Sequence, residues 1–175
     1  MASRTLILEI IGTFTIILLG SALHFTYASS GNNPLVAVFS AVNESIWEHL
    51  KLAFWPSLLW MLIVMGPLRK TTNNYFFAKT AGSYVMVAFI PLVFYSYTSF
   101  TGESIFAIDI ASFIFAVIIG QIFSYKLLSY KALPEITETA SIVAVILLAT
   151  IFALFTFSPP QLPLFQDPIT GHYGV

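Results

Sequence analysis

Five long apolar runs restrict the folds open to this chain. Each is roughly 20 residues or longer, the length at which an α-helix crosses the hydrocarbon core of a bilayer. Only 9% of the residues are charged and 58% are hydrophobic, whereas an ordinary soluble domain carries about 25% charged residues. The sequence therefore predicts an all-α integral membrane protein. The predicted spans are residues 5–27, 46–68, 75–100, 104–130 and 135–157, which form one transmembrane domain over residues 1–157, followed by a Pro-rich outer tail over residues 158–175.

Lysine and arginine residues are distributed unevenly between the two sides of such a bundle. Of the seven, six fall on one side and only Lys51 falls on the other. The six are Arg4, Arg69, Lys70, Lys79, Lys126 and Lys131. Because basic residues collect on the cytoplasmic side of membrane proteins, this asymmetry predicts a cytoplasmic amino terminus and an outer carboxyl terminus in the cell (plasma) membrane.

The connection between the first two runs contains a short apolar stretch at residues 35–42. It is too short to cross a bilayer, so we expect a re-entrant or interfacial segment. The chain then enters the next helix through residues 45–48, whose Ser-x-x-Glu pattern has the form of a capping box. This segment therefore starts and ends on the outer side.

Small residues recur every four positions along the fourth run, at Ser112, Ala116 and Gly120. Such a stripe lets another helix approach closely in a membrane. We therefore expect it to pack against a neighbouring helix, and it is the candidate face for a homo-oligomer.

Five ionisable side chains are predicted at the same outer depth: His24, Glu44, Glu48, His49 and Asp109. Intramembrane charge is costly, so a cluster of this kind usually marks a site with partners. Histidine and carboxylate ligands suit a divalent metal such as zinc, iron or manganese. The candidate metal ligands are thus His24, Glu44, Glu48 and His49, and the candidate catalytic residues are Glu44, Glu48 and Asp109.

Several functions remain open for this cluster. One is a metal-dependent hydrolase or transferase acting on a lipid-like substrate. A second is a proton, cation or small-solute transporter, which needs a polar trail past Thr13 and Gln121 towards Glu9. A third is a non-catalytic scaffold or accessory subunit. The simplest alternative to a site is a helix-surface salt bridge between Glu48 and Lys51.

Other classes are excluded by composition. A formal net charge of −1 provides no basic face for a nucleic acid. The absence of cysteine excludes disulfides and thiolate metal ligands. The His-Glu-x-x-His motif of zinc proteases does not occur either.

Two distinctive strings carry a resemblance to a known family. They are FSAVNESIWEHLK at residues 39–51 and PLFQDPITGHYG at residues 163–174. With them the whole chain resembles an uncharacterised family of small multi-pass prokaryotic membrane proteins of unknown function. The resemblance implies no activity. It implies that the segment at residues 44–51 and the tail are the hallmark pieces of the family, which favours one composite site on the outer side.

Overall fold

Five helices account for most of the chain in a computed structural model that describes residues 2–175. They are α1 (Ala2–Ser29), α3 (Ile46–Arg69), α4 (Tyr75–Thr101), α5 (Phe106–Leu128) and α6 (Glu135–Phe157), and a single turn, α2 (Pro34–Ala37), lies between the first two. All five long helices have the length and apolar composition needed to span a membrane. The prediction of an all-α bundle with five spans is confirmed, and its boundaries agree to within a few residues.

Helix α3 occupies the centre of the bundle. It packs against α1 and α4, both of which also pack on α5, while α6 lies mainly against α4. More than half of the most apolar stretch of α3 is buried by the protein, the largest fraction among the five spans. The remaining helices expose more apolar surface, as expected for side chains that contact lipid.

The two ends of the bundle differ in chemistry. We call the end with residues 70–74 and 129–134 the basic end, because it carries most of the lysines and arginines. We call the opposite end, with residues 30–45, 102–105 and 158–175, the histidine end. Both ends of the connection between α1 and α3 lie at the histidine end, as predicted. Within that connection Ser40 donates a hydrogen bond to the carbonyl of Leu23 and accepts one from the amide of Tyr27 at 2.9 Å, so the segment folds back along the last turns of α1.

The small-residue stripe of α5 is filled from within the chain. Ser112, Ala116 and Gly120 are all buried. A Cβ atom at Gly120 would lie 2.7 Å from the carbonyl oxygen of Gly82 in α4, and one at Gly82 would lie 2.8 Å from the carbonyl oxygen of Gly120. The close approach that the stripe predicts is therefore made by the chain's own α4. The expectation of a homo-oligomer through this face is not supported, because a second copy would find the stripe already covered.

The tail docks on the histidine end of the bundle. A 3-10 turn at Pro163–Phe165 places the Phe165 ring 4.7 Å from the indole of Trp47, measured between centroids. Beyond it, a tight turn is closed by an antiparallel bridge between Gln166 and Tyr173. Asp167 caps this turn through the amide of Ile169, at 2.8 Å. The proline-rich stretch thus ends in a short hairpin that lies against α3 and α6.

Candidate metal centre at the histidine end

Three potential metal ligands converge at the histidine end. The Nε2 atoms of His24 and His49 lie 3.2 Å apart. Oε2 of Glu44 lies 3.6 Å from the first of these nitrogens and 3.4 Å from the second. We call His24, Glu44 and His49 the His-Glu-His cluster. Three of the five ionisable residues predicted to converge do so.

Each member of the cluster comes from a different local structure. His24 lies in the second-last turn of α1, His49 lies in the first turn of α3, and Glu44 lies in the turn that precedes α3. In that turn the side chain of Asn43 accepts a hydrogen bond from the amide of Ser45 at 2.9 Å and donates one to the carbonyl of Gly174 at 3.0 Å. The tail therefore fixes the segment that carries Glu44.

The tautomer of His49 suits metal binding. Its Nδ1 lies 2.8 Å from the carbonyl oxygen of Ser45, and because a carbonyl only accepts, Nδ1 carries a hydrogen. The neutral ring then presents a lone pair at Nε2, the atom that faces His24 and Glu44. This arrangement is the one in which a backbone carbonyl orients a metal-binding histidine.

The separations within the cluster match a tetrahedral site. With metal–ligand bonds of about 2.0–2.2 Å, the ligand atoms of a tetrahedral zinc site lie about 3.3–3.6 Å apart. The three observed separations of 3.2, 3.4 and 3.6 Å fall close to that range. One ion could therefore contact all three atoms with only small side-chain movements.

The cluster is partly open to its surroundings. The side chains of His24 and His49 are 29% and 30% exposed, and that of Glu44 is 44% exposed. The neighbouring His49 ring, which donates to Glu44 from Nε2 when it is protonated, holds the pKa of the Glu44 carboxyl below its usual value, although partial burial acts in the opposite direction. Glu44 is therefore ionised at neutral pH, which is the form that binds a cation.

Asp109 lies in the first turn of α5, at the histidine end of the bundle. Its Oδ1 accepts a hydrogen bond of 2.6 Å from the hydroxyl of Tyr97, and that hydroxyl in turn accepts one from the amide of Ile105 at 3.0 Å. The Tyr97 hydroxyl thus fixes the orientation of this carboxylate.

Glu48 does not join the histidines. It forms an ion pair with Lys51, Oε2 to Nζ at 2.5 Å, and both side chains are almost completely buried. Nζ also donates to the carbonyl of Ala37 and to the hydroxyl of Thr156, each at 2.8 Å, so all three ammonium hydrogens are used. The salt bridge considered from the sequence is present, but it is buried and not on a helix surface.

The reason for this difference lies at the start of α3. From the sequence we expected Glu44 and Glu48 in one cluster with the histidines. The helix begins at Ile46, with Ser45 as its N-cap, as the capping-box pattern predicted, so Glu44 precedes the helix and turns towards His49, whereas Glu48 lies within it. Only half of the capping box forms: Ser45 accepts from the amide of Glu48 at 3.4 Å, while the Glu48 carboxylate accepts from the amide of Val42 at 3.0 Å.

A second buried ion pair lies near the basic end. Glu9 on α1 pairs with Lys79 on α4, and both side chains are buried. Thr13 and Gln121 both donate to the backbone carbonyl of Glu9, at 3.0 and 3.1 Å. Both side chains are therefore bound to Glu9 itself and do not continue the polar trail from Glu9 towards the histidine end that a transporter would need. Towards the histidine end the next buried side chain of α1 is the apolar Ile16.

The Glu48–Lys51 pair generates a stability prediction. Lys51→Met leaves the buried Glu48 carboxylate without its cation, and breaking a buried pair in this way costs about 3–5 kcal/mol. We expect a clear fall in the thermal unfolding temperature, measured by circular dichroism in detergent. The double variant Glu48→Gln/Lys51→Met should recover much of the loss, and Lys126→Met, at an exposed lysine, should change little. A Lys51→Met protein as stable as the parent would contradict this role.

Comparison with known proteins places the chain in a family. The chain matches no curated protein and no solved structure. A family model described as a family of unknown function, DUF6512, matches residues 3–175. The match covers both strings that carry the resemblance to an uncharacterised family, and it confirms that resemblance at the level of the family. The chain therefore belongs to DUF6512, a family of unknown function.

Proposed function

We propose that this multi-pass membrane protein holds a divalent transition-metal ion in its His-Glu-His cluster. The observation that carries the proposal is the set of three ligand atoms from His24, Glu44 and His49, separated by 3.2–3.6 Å. Two imidazoles and one carboxylate form a ligand set typical of catalytic zinc, and iron or manganese also accept it. The tetrahedral separations favour zinc. Glu48 is left out of the ligand set because Lys51 already binds its carboxylate.

The proposed activity is hydrolysis or group transfer on a lipid-like substrate in the outer leaflet. A metal with three protein ligands keeps a position for water or substrate and acts as a Lewis acid towards a carbonyl or phosphoryl group. The residue that we propose as the general base is Asp109, whose carboxylate accepts a hydrogen bond from Tyr97. The partial exposure of the cluster supports this assignment, since a purely structural metal site would be closed by a fourth protein ligand.

The proposed orientation puts the cluster outside the cell. The basic end carries Arg4, Arg69, Lys70, Lys126 and Lys131, and basic residues favour the cytoplasmic side. The histidine end then faces outward in the plasma membrane, with the tail on the same side. A substrate would reach the cluster from the outer leaflet or from the outer aqueous phase.

Metal content tests the site directly. Protein purified without added chelator and dialysed against zinc should hold about one zinc per chain by elemental analysis. We expect the affinity for zinc to fall at least tenfold in each of three variants, because each loses one of the three protein ligands: His24→Ala, Glu44→Ala and His49→Ala. His172→Ala, at an exposed histidine in the tail, is the matched control and should keep the parent affinity. Equal zinc content in all four variants would refute the site.

The pH dependence of zinc binding gives a second readout in the same experiment. Histidine must be neutral to bind a metal, and its ordinary pKa is about 6.5. The affinity for zinc should therefore decline as the pH falls through the range in which the histidine ligands become protonated. The lowered pKa of Glu44 means that its carboxylate becomes protonated only at a lower pH. An affinity independent of pH between about 5 and 8 would argue against histidine ligands.

The orientation is testable because the chain contains no cysteine. A single cysteine in place of Glu103 should react with a membrane-impermeant maleimide in intact cells. A cysteine in place of Lys131 should react only after the membrane is permeabilised. Both positions are exposed at opposite ends of the bundle, so the reverse labelling pattern would overturn the proposed topology.

Hydrolysis is tested with zinc-loaded protein in mixed micelles that contain fluorogenic short-chain ester or phosphodiester lipids. Turnover should stop on treatment with a chelator and return with zinc. Asp109→Asn should retain the zinc but lose about 10²–10⁴-fold in rate, the usual contribution of a general base. Glu103→Gln, at an exposed carboxylate of the same end, is the control for a carboxylate outside the cluster. If the protein binds zinc but neither substrate class is turned over in a metal-dependent way, the hydrolase proposal is rejected. The metal-site proposal would still stand.

A further inference from the structure

A polar cavity of about 300 Å³ opens at the basic end, the end of the bundle opposite the His-Glu-His cluster. It lies between the end of α3, the start of α4 and the start of α6. Its lining includes Arg69, Thr72, Asn73, Phe76, Glu135 and Glu138. At the end of a spanning helix, these side chains lie at the depth of lipid headgroups.

Glu138 is already used by the fold. One of its carboxylate oxygens accepts a hydrogen bond from the amide of Phe76 at 2.9 Å, and the other accepts from the amide of Phe77 at 3.1 Å. Both amides belong to the first turn of α4, whose N–H groups lack partners within the helix. Glu138 therefore caps α4 from α6, and the positive end of that helix is not available to another anion.

Arg69 is held in place but has no anionic partner in the described chain. Its guanidinium lies over the ring of Phe76, 5.0 Å from the centroid. Although two glutamates line the same cavity, the ion pairs found among residues 2–175 do not include Arg69. The cavity thus presents an oriented guanidinium that has no carboxylate partner among residues 2–175.

We propose that this cavity binds the headgroup of a phospholipid from the leaflet at the basic end. The Arg69 guanidinium would take the phosphate, since its planar fork matches phosphate oxygens. Glu135, exposed in the first turn of α6, provides a carboxylate for an ammonium group on the same headgroup. Arginine and glutamate in one cavity select a zwitterionic headgroup with a primary amine, such as phosphoethanolamine.

Binding is measured with native mass spectrometry and thermal unfolding of the full chain in detergent. The probes are dihexanoyl phosphatidylethanolamine, dihexanoyl phosphatidylcholine and inorganic phosphate. We expect saturable binding of the ethanolamine lipid, weaker binding of the choline lipid, and little stabilisation by inorganic phosphate. Arg69→Gln should weaken binding of the ethanolamine lipid about tenfold or more, as expected for the loss of a charged hydrogen-bond donor.

Two further variants make the test specific. Lys70→Gln removes an equally exposed neighbouring cation that does not line the cavity, and it should leave binding unchanged. Glu135→Gln should remove the preference for ethanolamine over choline while the phosphate contact remains. Equal losses in Arg69→Gln and Lys70→Gln would overturn the site, because binding would then follow net charge alone. Equal stabilisation by inorganic phosphate and by the lipid would overturn the assignment to a phospholipid.

Discussion

The buried ammonium of Lys51 joins three separate parts of this protein. In a bilayer no water satisfies a polar group, so each must find a partner within the protein. Nζ of Lys51 contacts Glu48 in its own helix, the carbonyl of Ala37 in the connection and the hydroxyl of Thr156 in α6. The backbone carbonyl of Thr156 in turn accepts a hydrogen bond from the amide of Val175 at 3.2 Å. One charge therefore joins the connection, the central helix, the last helix and the tail.

This arrangement explains how a partly exposed cluster can keep a defined geometry. Glu44 lies in a short turn whose backbone is held on both sides. Before it, the amide of Val42 donates to the carboxylate of Glu48, and after it Ser45 begins α3. Since Glu48 is itself fixed by Lys51, the buried pair supports the turn that positions Glu44. A functional site supported in this way by rigid elements needs little rearrangement when a ligand binds.

The sequence predicted the bundle well because its signal is repeated over many residues. Each span is a run of some 20 apolar side chains, and no single position decides it. The site was predicted only in part, since its geometry depends on the contacts around the start of α3. Glu44 precedes the N-cap and turns towards His49, whereas Glu48 lies inside the helix and faces Lys51. Thr156, which completes the ammonium site, is one of several threonines in apolar helices, and nothing in the sequence distinguishes it.

The ionisable groups of the bundle fall into two kinds, and the difference bears on function. Lys51 and Lys79 are buried against carboxylates, and their charges are neutralised inside the protein. Such pairs fix the positions of the helices, and a structural role is enough to explain them. The His-Glu-His cluster is different because it directs two nitrogen atoms and a carboxylate at one point while remaining about one-third exposed. A bound cation stabilises donor atoms that converge on one point and are accessible from outside. The metal proposal rests on this difference between the cluster and the buried ion pairs.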